Sequence, residues 1–259
     1  MIKVMSFNIR HGLADDGANH WQKRKSLAMA RINAFGPDLL GLQECRDDDQ
    51  AEFIRTSLPE YHFIGVHRGG SGETALEMAP LLVRKSAFTL LDSGYFWLSD
   101  TPAIPGSISW DSAIPRTACW VRLSCRSTGS ELLFVNTHFY YEQAAIVGDA
   151  QCLRHWLDQL LPQSPLILTG DFNTERESDA YRLLTAEGVL VDTYRHIHPQ
   201  EADAVTFHGF GQEMTNEAID WILVSDHFRI VDAAIDRTHN GQLFPSDHYP
   251  IMAILAWKQ

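Results

Sequence analysis

Pro165-Leu166-Ile167-Leu168-Thr169-Gly170-Asp171-Phe172-Asn173 is an apolar run that stops abruptly at a carboxylate and an amide. Short apolar runs bounded by polar or turn residues read as buried strands. Residues 165–169 are therefore expected as a strand, with Gly170 to Asn173 as the turn that leaves it. The same construction recurs along the chain. Residues 2–7 end in Asn8, 38–43 in Glu44, and Leu132-Leu133-Phe134-Val135-Asn136-Thr137 in His138. Ile219-Asp220-Trp221-Ile222-Leu223 carries a carboxylate inside an apolar strand, and Pro245-Ser246-Asp247-His248-Tyr249-Pro250 precedes the last strand. A buried carboxylate costs several kcal/mol without a partner, so Asp220 is the hardest of these to read as a turn residue.

Further strands are expected at 61–66, 80–84, 87–97, 117–125, 131–139, 219–224, 228–235 and 250–257, which are rich in Val, Phe, Tyr and Trp. Trp21, Ala28, Ile32 and Phe35 share one helical face that Gly36-Pro37 ends. Ile146, Ala150, Leu153, Leu157 and Leu160 make a second amphipathic helix, stopped by Pro162, and a short third is expected near 178–187. Strands outnumber helices and do not alternate strictly with them, so a mixed α/β architecture is expected rather than a doubly wound parallel sheet. No linker, repeat or charge block marks a boundary, and a single domain over 1–259 follows.

The charge is 21 − 33 = −12 with His neutral, which weighs against holding nucleic acid by broad phosphate neutralisation. No apolar run approaches the roughly 20 residues needed to span a bilayer, and no signal peptide is visible at Met1-Ile2-Lys3-Val4. Neither membrane insertion nor secretion is expected. The four cysteines, Cys45, Cys119, Cys125 and Cys152, form no Cys-x-x-Cys pair, so neither a disulfide framework nor a zinc ribbon is expected, a reducing, cytoplasmic setting fits, and Cys119 and Cys125 read as core thiols. His196-x-His198 lacks a third ligand at zinc spacing and reads as a surface loop. Asp47-Asp48-Asp49 reads as a helix start whose acidic groups complement the dipole.

Each polar residue at a strand end is weak evidence alone. Their ensemble matters: carboxylate and amide oxygens suit a hard cation such as Mg²⁺, and His beside carboxylates suits acid–base work or stabilisation of transition-state charge. The motifs Ser6-Phe7-Asn8-Ile9-Arg10, Gly41-Leu42-Gln43-Glu44, Asn136-Thr137-His138, Thr169-Gly170-Asp171-Phe172-Asn173, Ile219-Asp220-Trp221-Ile222 and Ser246-Asp247-His248-Tyr249-Pro250 occur in one order over nearly the full chain. In that set and order the chain resembles the endonuclease/exonuclease/phosphatase superfamily of metal-dependent phosphoesterases, which includes pancreatic deoxyribonuclease and exonuclease III-type nucleases. Trp21, Glu77-Met78-Ala79-Pro80, Phe96 to Pro102, Pro115-Arg116 and Thr206-Phe207-His208-Gly209 are similar to a bacterial-type branch of it with poorly defined substrates.

The resemblance implies a four-layer sandwich, two packed mixed β-sheets flanked by helices, with the site at one edge. It implies Glu44 as the main Mg²⁺ ligand, with Asn8 and Asp247 near the same ion and Mn²⁺ as a substitute. Asp171 would orient or deprotonate the attacking water, Asn173 would hold phosphate or water, and Asp220 would pair with His248. His138 and Glu77 match a second His–Glu pair, and Arg116 is a candidate phosphate clamp. His208, Trp110, Tyr140 and Tyr141 are candidates for the pocket wall or for core. The branch continues Asn-Thr-His with an Asp-His pair where this chain has Phe139-Tyr140-Tyr141.

The resemblance makes the chain a phosphoesterase, phosphatase or phosphodiesterase, expected to be a monomer. With no Lys/Arg cluster interleaved with aromatics, a small-molecule phosphate ester is the expected partner. A nuclease would use the same residues, and exposed Lys/Arg beside the site together with a steep loss of activity with salt would mark it. A non-catalytic binding protein is disfavoured, because nothing in the metal and acid–base set is replaced.

Overall fold

The computed structural model describes residues 1–159, 164–201, 204–212 and 217–258. In chain order the elements are β1 (Ile2–Asn8), α1 (Trp21–Phe35), β2 (Leu39–Gln43), β3 (Cys45–Arg46), α2 (Asp49–Ser57), β4 (Tyr61–Ile64), β5 (Glu77–Met78), β6 (Leu81–Arg84) and β7 (Phe88–Trp97). There follow β8 (Thr117–Cys125), β9 (Glu131–His138), α3 (Gln143–Asp158), β10 (Leu166–Asp171), α4 (Asp179–Thr185), β11 (Leu190–Asp192), α5 (Thr193–Ile197), β12 (Asp220–Ser225), β13 (Phe228–Ile235) and β14 (Ile251–Trp257). One six-stranded sheet runs β13-β14-β1-β2-β6-β4 and the other β11-β12-β10-β9-β8-β7, while β3 and β5 form a two-stranded ribbon.

The central strands explain the apolar runs. β2, β10 and β12 are buried at every residue, and β1 at all but Lys3. Strands covered on both faces read as near-continuous apolar runs rather than alternating ones. One cluster, holding Met5, Phe7, Trp21, Ile32, Leu42 and Ile54, packs α1 and α2 on the first sheet. The larger cluster joins Val4, Leu39, Phe134, Leu168 and Ile222 with Ile146 and Leu153 of α3. The four-layer mixed α/β sandwich is thus the observed fold.

Each sheet has one parallel pair, β1 with β2 and β9 with β10, among antiparallel neighbours. In α/β sheets, crevices for ligands open beyond the carboxyl ends of parallel strands. Here those ends carry Asn8 opposite Gln43, and His138 opposite Asp171. Antiparallel β12 enters beside them, so that Asp220 pairs with Asp171. β14 likewise begins beside the end of β1, which places Asp247 and His248 at the same edge.

A buried polar tie joins the sheets just beneath that edge. Gln43 Nε2 donates to Asn136 Oδ1 (2.7 Å) and Thr169 Oγ1 donates to the same oxygen (2.9 Å). Asn136 Nδ2 donates to the carbonyls of Leu42 (2.7 Å) and Pro80 (3.1 Å). A Cβ at Gly41 would fall 2.2 Å from Thr169 Oγ1 and 2.3 Å from Asn136 Oδ1. Glycine is required there by close approach, not by backbone conformation.

Two of the helix signals are seen in detail. Gly36 closes α1 in the left-handed conformation at φ 63°, its N–H donating to Ile32 O at 2.8 Å. Asp48 caps α2 by accepting from Gln50 N at 2.9 Å, as the acidic run suggested. Leu160 and Pro162, expected at the end of α3, lie outside the described residues. The short β3, β5, β11 and α5 escape pattern reading, because two to five residues hold no resolvable period. His196 belongs to α5 and not to a loop, and His198 follows it with Nε2 2.8 Å from Ala233 O. All four cysteines are free thiols, with Cys119 and Cys125 buried on β8. Among the described residues, no helix is long and apolar enough to cross a membrane.

Candidate active site

The cleft at this edge has a volume of about 510 Å³, and Glu44, Asp171, Asp247, His138, His248, Asn173, Glu77 and Arg116 all line it. Asp220 stands behind them. His248 Nδ1 lies 2.8 Å from Asp220 Oδ2, and His248 Nε2 lies 3.7 Å from Asp171 Oδ2. Burial alone would lower the His248 pKa, but Asp220, Asp171 and Asp247 outweigh it and push it up to about 10. The ring is an imidazolium held between carboxylates. Burial and the nearby Asp220 push Asp171 up to about 7, against the opposing pull of His248 and Asn8.

On the first sheet, Asn8 Nδ2 donates to Glu44 Oε1 (3.0 Å) and to Asp171 Oδ2 (2.9 Å). Its Oδ1 accepts from Arg10 N (2.9 Å). Asn8 thereby fixes two carboxylates from opposite sheets. Glu44 leaves β2 in the left-handed region at φ 56°, and its Oε2 accepts from His11 N at 3.2 Å. Holding a non-glycine residue in that conformation costs about 1 kcal/mol or more and persists only where the surroundings enforce it. Burial would raise the Glu44 pKa, yet Arg10, the Asn8 amide and His248 hold it below the ordinary range. Asp247 is raised, chiefly by burial.

Arg10, quoted in a motif but given no role from sequence, lies between three carboxylates: Asp16 (3.3 Å), Asp247 (3.7 Å) and Glu44 (3.9 Å). The carboxylates still outnumber the cations at this end of the cleft. Carboxylate oxygens with a charge surplus fit a hard divalent cation. Among the described residues, Asp171, Asp220 and His248 bring possible ligand atoms within 4.8 Å of one another. In that group the imidazolium already balances charge with both nitrogens facing carboxylates, so Glu44 and Asp247 are the better donors.

The opposite wall is basic and aromatic. Burial, Arg116, Arg68 and His248 hold His138 neutral, well below its ordinary pKa, with Nε2 3.5 Å from Asp171 Oδ2. Glu77 is not its partner. The Glu77 carboxylate pairs with Arg68 Nη1 at 3.1 Å, and the Arg68 backbone N–H donates to Glu77 O. The expected His138–Glu77 pair is therefore corrected to Arg68–Glu77, with His138 facing Asp171. Burial pushes Glu77 up to about 7 against the pull of Arg68. Arg116 is 6% exposed, yet its Nε and Nη1 have no hydrogen-bond partner. A buried, unpaired guanidinium lining a cleft is poised for an anion. Asn173 donates Nδ2 to Phe139 O (2.9 Å) and its backbone N–H to Asp171 Oδ1 (3.0 Å).

Of the undecided residues, Tyr141 lines the cleft, whereas Tyr140 is buried beneath it. His208 stacks on Tyr249 with ring centroids 3.8 Å apart and is core. Trp110 is seated on Gly148 of α3, where an added Cβ would meet the indole at 2.1 Å. Sequence reading missed Arg10, Asp16, Arg68 and Phe207 as lining groups. Arg10 had a signal, since it closes the Asn8 motif. Arg68 and Asp16 sit in loops without periodicity and had none.

Asp149 on α3 supports the Tyr140 turn by accepting from Tyr140 N at 2.8 Å, while its Oδ1 has no partner. Burial pushes its pKa up to about 7 from 3.8. The unfolded chain therefore releases this proton near pH 4, and the folded chain holds it until about pH 7. Stability is lost as pH rises through that window. Asp149→Asn removes the term, so its stability relative to wild type should improve between pH 4 and pH 8 by up to about 4 kcal/mol. Denaturant unfolding at both pH values checks this, and a difference independent of pH would refute it.

A sequence model of the endonuclease/exonuclease/phosphatase family matches residues 5–248. A solved structure of an endonuclease/exonuclease/phosphatase from Bacteroides vulgatus is 33% identical, covers 99% of each chain and superposes with a TM-score of 0.89. The mannosyl-6-phosphatase of Bacteroides thetaiotaomicron VPI-5482 is 30% identical, with 99% of this chain and 100% of that chain covered and a TM-score of 0.88. Nocturnin of Rattus norvegicus is 23% identical over 96% of this chain, which spans only 63% of that protein's length.

Proposed function

The chain belongs to the endonuclease/exonuclease/phosphatase family and is a phosphoester hydrolase, and on that premise we propose that it cleaves small-molecule phosphate esters with the aid of Mg²⁺ or Mn²⁺. The observation that carries the reading is the convergence, in one cleft, of the Asp220–His248–Asp171 array, the Glu44 and Asp247 carboxylates, and an unpaired Arg116.

Glu44 and Asp247 would hold the cation, with Asn8 bracing Glu44; when bound, the ion polarises a phosphoryl oxygen and shields its charge from the nucleophile. Asp171 orients the attacking water and takes its proton, a role suited to a carboxyl titrating near neutrality. Asp220 fixes the His248 ring through Nδ1, so that Nε2–H donates to the oxygen gaining charge in the transition state. Neutral His138 acts by hydrogen bonding and not as a proton store. Arg116, whose guanidinium lines the cleft, clamps the phosphate. Asn173, with one amide hydrogen given to Phe139 O, has its amide oxygen and its other amide hydrogen to offer to the water or phosphate.

The small-molecule assignment rests on size and charge. A cleft of about 510 Å³ is in the range of pockets for small ligands. Of the three arginines lining it, Arg10 faces carboxylates and Arg68 is paired with Glu77, which leaves Arg116 for phosphate. A nucleic-acid groove needs a track of such cations. The mannosyl-6-phosphatase, similar over the whole length, supports a phosphomonoester of a small polyol within this class. Purified protein is expected to turn over sugar phosphates in preference to oligonucleotides, with weak salt dependence. Preferential cleavage of DNA or RNA, falling steeply between 50 and 200 mM salt, would replace this reading with the nuclease one.

A further inference from the structure

Tyr140 and Tyr141 follow the His138 strand end and form an aromatic pair whose two members do different work. Tyr140 is 1% exposed and fixed on all sides. Its backbone N–H donates to Asp149 Oδ2 at 2.8 Å, its hydroxyl accepts from Ala113 N at 3.4 Å, and the Arg116 guanidinium lies 5.8 Å from its ring centre. Tyr141 stacks on it with ring centres 4.2 Å apart and planes 27° from parallel, and the hydroxyls are joined at 3.2 Å. One face of Tyr141 is thus covered and its orientation set, yet 57% of its surface stays open and it lines the cleft.

We propose that Tyr141 is the leaving-group platform of this cleft, and that the site favours phosphate esters whose alcohol carries a ring, aromatic or pyranose. The proposal rests on the phosphoester hydrolysis described above. The Arg116 guanidinium, proposed above to hold the phosphate, lies against Tyr140, the buried member of the pair, in the cleft that His138 also lines. An alcohol leaving toward solvent then passes over the open face of Tyr141. Phe207, packed on His248, and Ile114 are apolar residues lining the same cleft, whose walls are otherwise charged. A flat face gains from stacking on a ring that is already immobilised, because the ordering cost is met before binding. A short acyclic alcohol gains little.

The test compares kcat/KM for phenyl phosphate and glucose 6-phosphate with that for ethyl phosphate, in wild type, Tyr141→Ala and Tyr141→Phe. Differences in leaving-group reactivity cancel when each ester is compared between variants. Tyr141→Ala should lower the ring-to-ethyl preference about two- to tenfold, the range of an aromatic stacking pair, and Tyr141→Phe should retain it. Loss for phenyl phosphate alone assigns the platform to aromatic alcohols, and loss for glucose 6-phosphate alone to pyranoses. An unchanged preference in Tyr141→Ala, with all three esters slowed equally or not at all, overturns the platform. A wild type that hydrolyses none of the three overturns the catalytic reading itself, and the platform with it.

Discussion

Asp171→Asn is expected to lower kcat by about two to four orders of magnitude, the share attributed to a positioned general base, while leaving the protein folded. The reason lies in the hydrogen bonds around the residue. Asp171 is 1% exposed, its Oδ2 accepts from Asn8 Nδ2 and its Oδ1 from Asn173 N. An asparagine keeps the shape and one accepting oxygen, but it takes no proton from water. Its amide nitrogen also turns a second donor toward His248 or Asn8. The substitution removes a carboxyl that burial already pushes toward neutrality, so the loss of stability should be small. Activity assays with circular dichroism and thermal unfolding separate the two effects. A kcat within tenfold of wild type would transfer the base role to another group.

The second large effect concerns the cation. Chelation should abolish turnover, and Mg²⁺ or Mn²⁺ should restore it, because charge stabilisation of several kcal/mol corresponds to about three orders of magnitude in rate. Glu44→Gln tests the assignment without relying on turnover. Calorimetric titration with Mn²⁺ should show affinity lower by about tenfold or more, since ligand charge sets affinity at oxygen sites. Asp220→Asn serves as the contrast: it breaks the pair with His248 and should cost kcat with less effect on Mn²⁺ affinity. If Asp220→Asn weakened Mn²⁺ more than Glu44→Gln, the ion would belong at the Asp171–Asp220–His248 group.

The layers and most of the site were legible because they rest on strand ends. An apolar run that stops at a polar residue marks both a buried strand and its mouth, and Asn8, Glu44, His138 and Asp171 are each read this way. Asp220 was legible for an energetic reason, as a carboxylate in an apolar strand that needs a cation. Glu77 shows where such reading ends. Its partner is chosen by the β3–β5 ribbon and by the bridge of His67 to Met78, which bring Arg68 alongside. No periodicity encodes a two-residue strand. Gln43, Asn136 and Thr169 stood in the quoted motifs, but the Gln43–Asn136 bond crosses between sheets and becomes visible only when the sheets are stacked.

Those bonds also limit how the molecule can move while it works. An interface made only of aliphatic side chains can slide by fractions of a side chain at low cost. The Gln43–Asn136–Thr169 junction, with Gly41 pressed against it, has one alignment in which every donor finds its acceptor. Any shear between the sheets would strand buried polar atoms, at about 1–3 kcal/mol each. The candidate catalytic groups on the two sheets are therefore expected to travel as one rigid body. Admission of substrate and escape of product are expected to fall to the more exposed segments 13–20, 69–75 and 100–113, and amide exchange during turnover should quicken there while the strand ends stay silent.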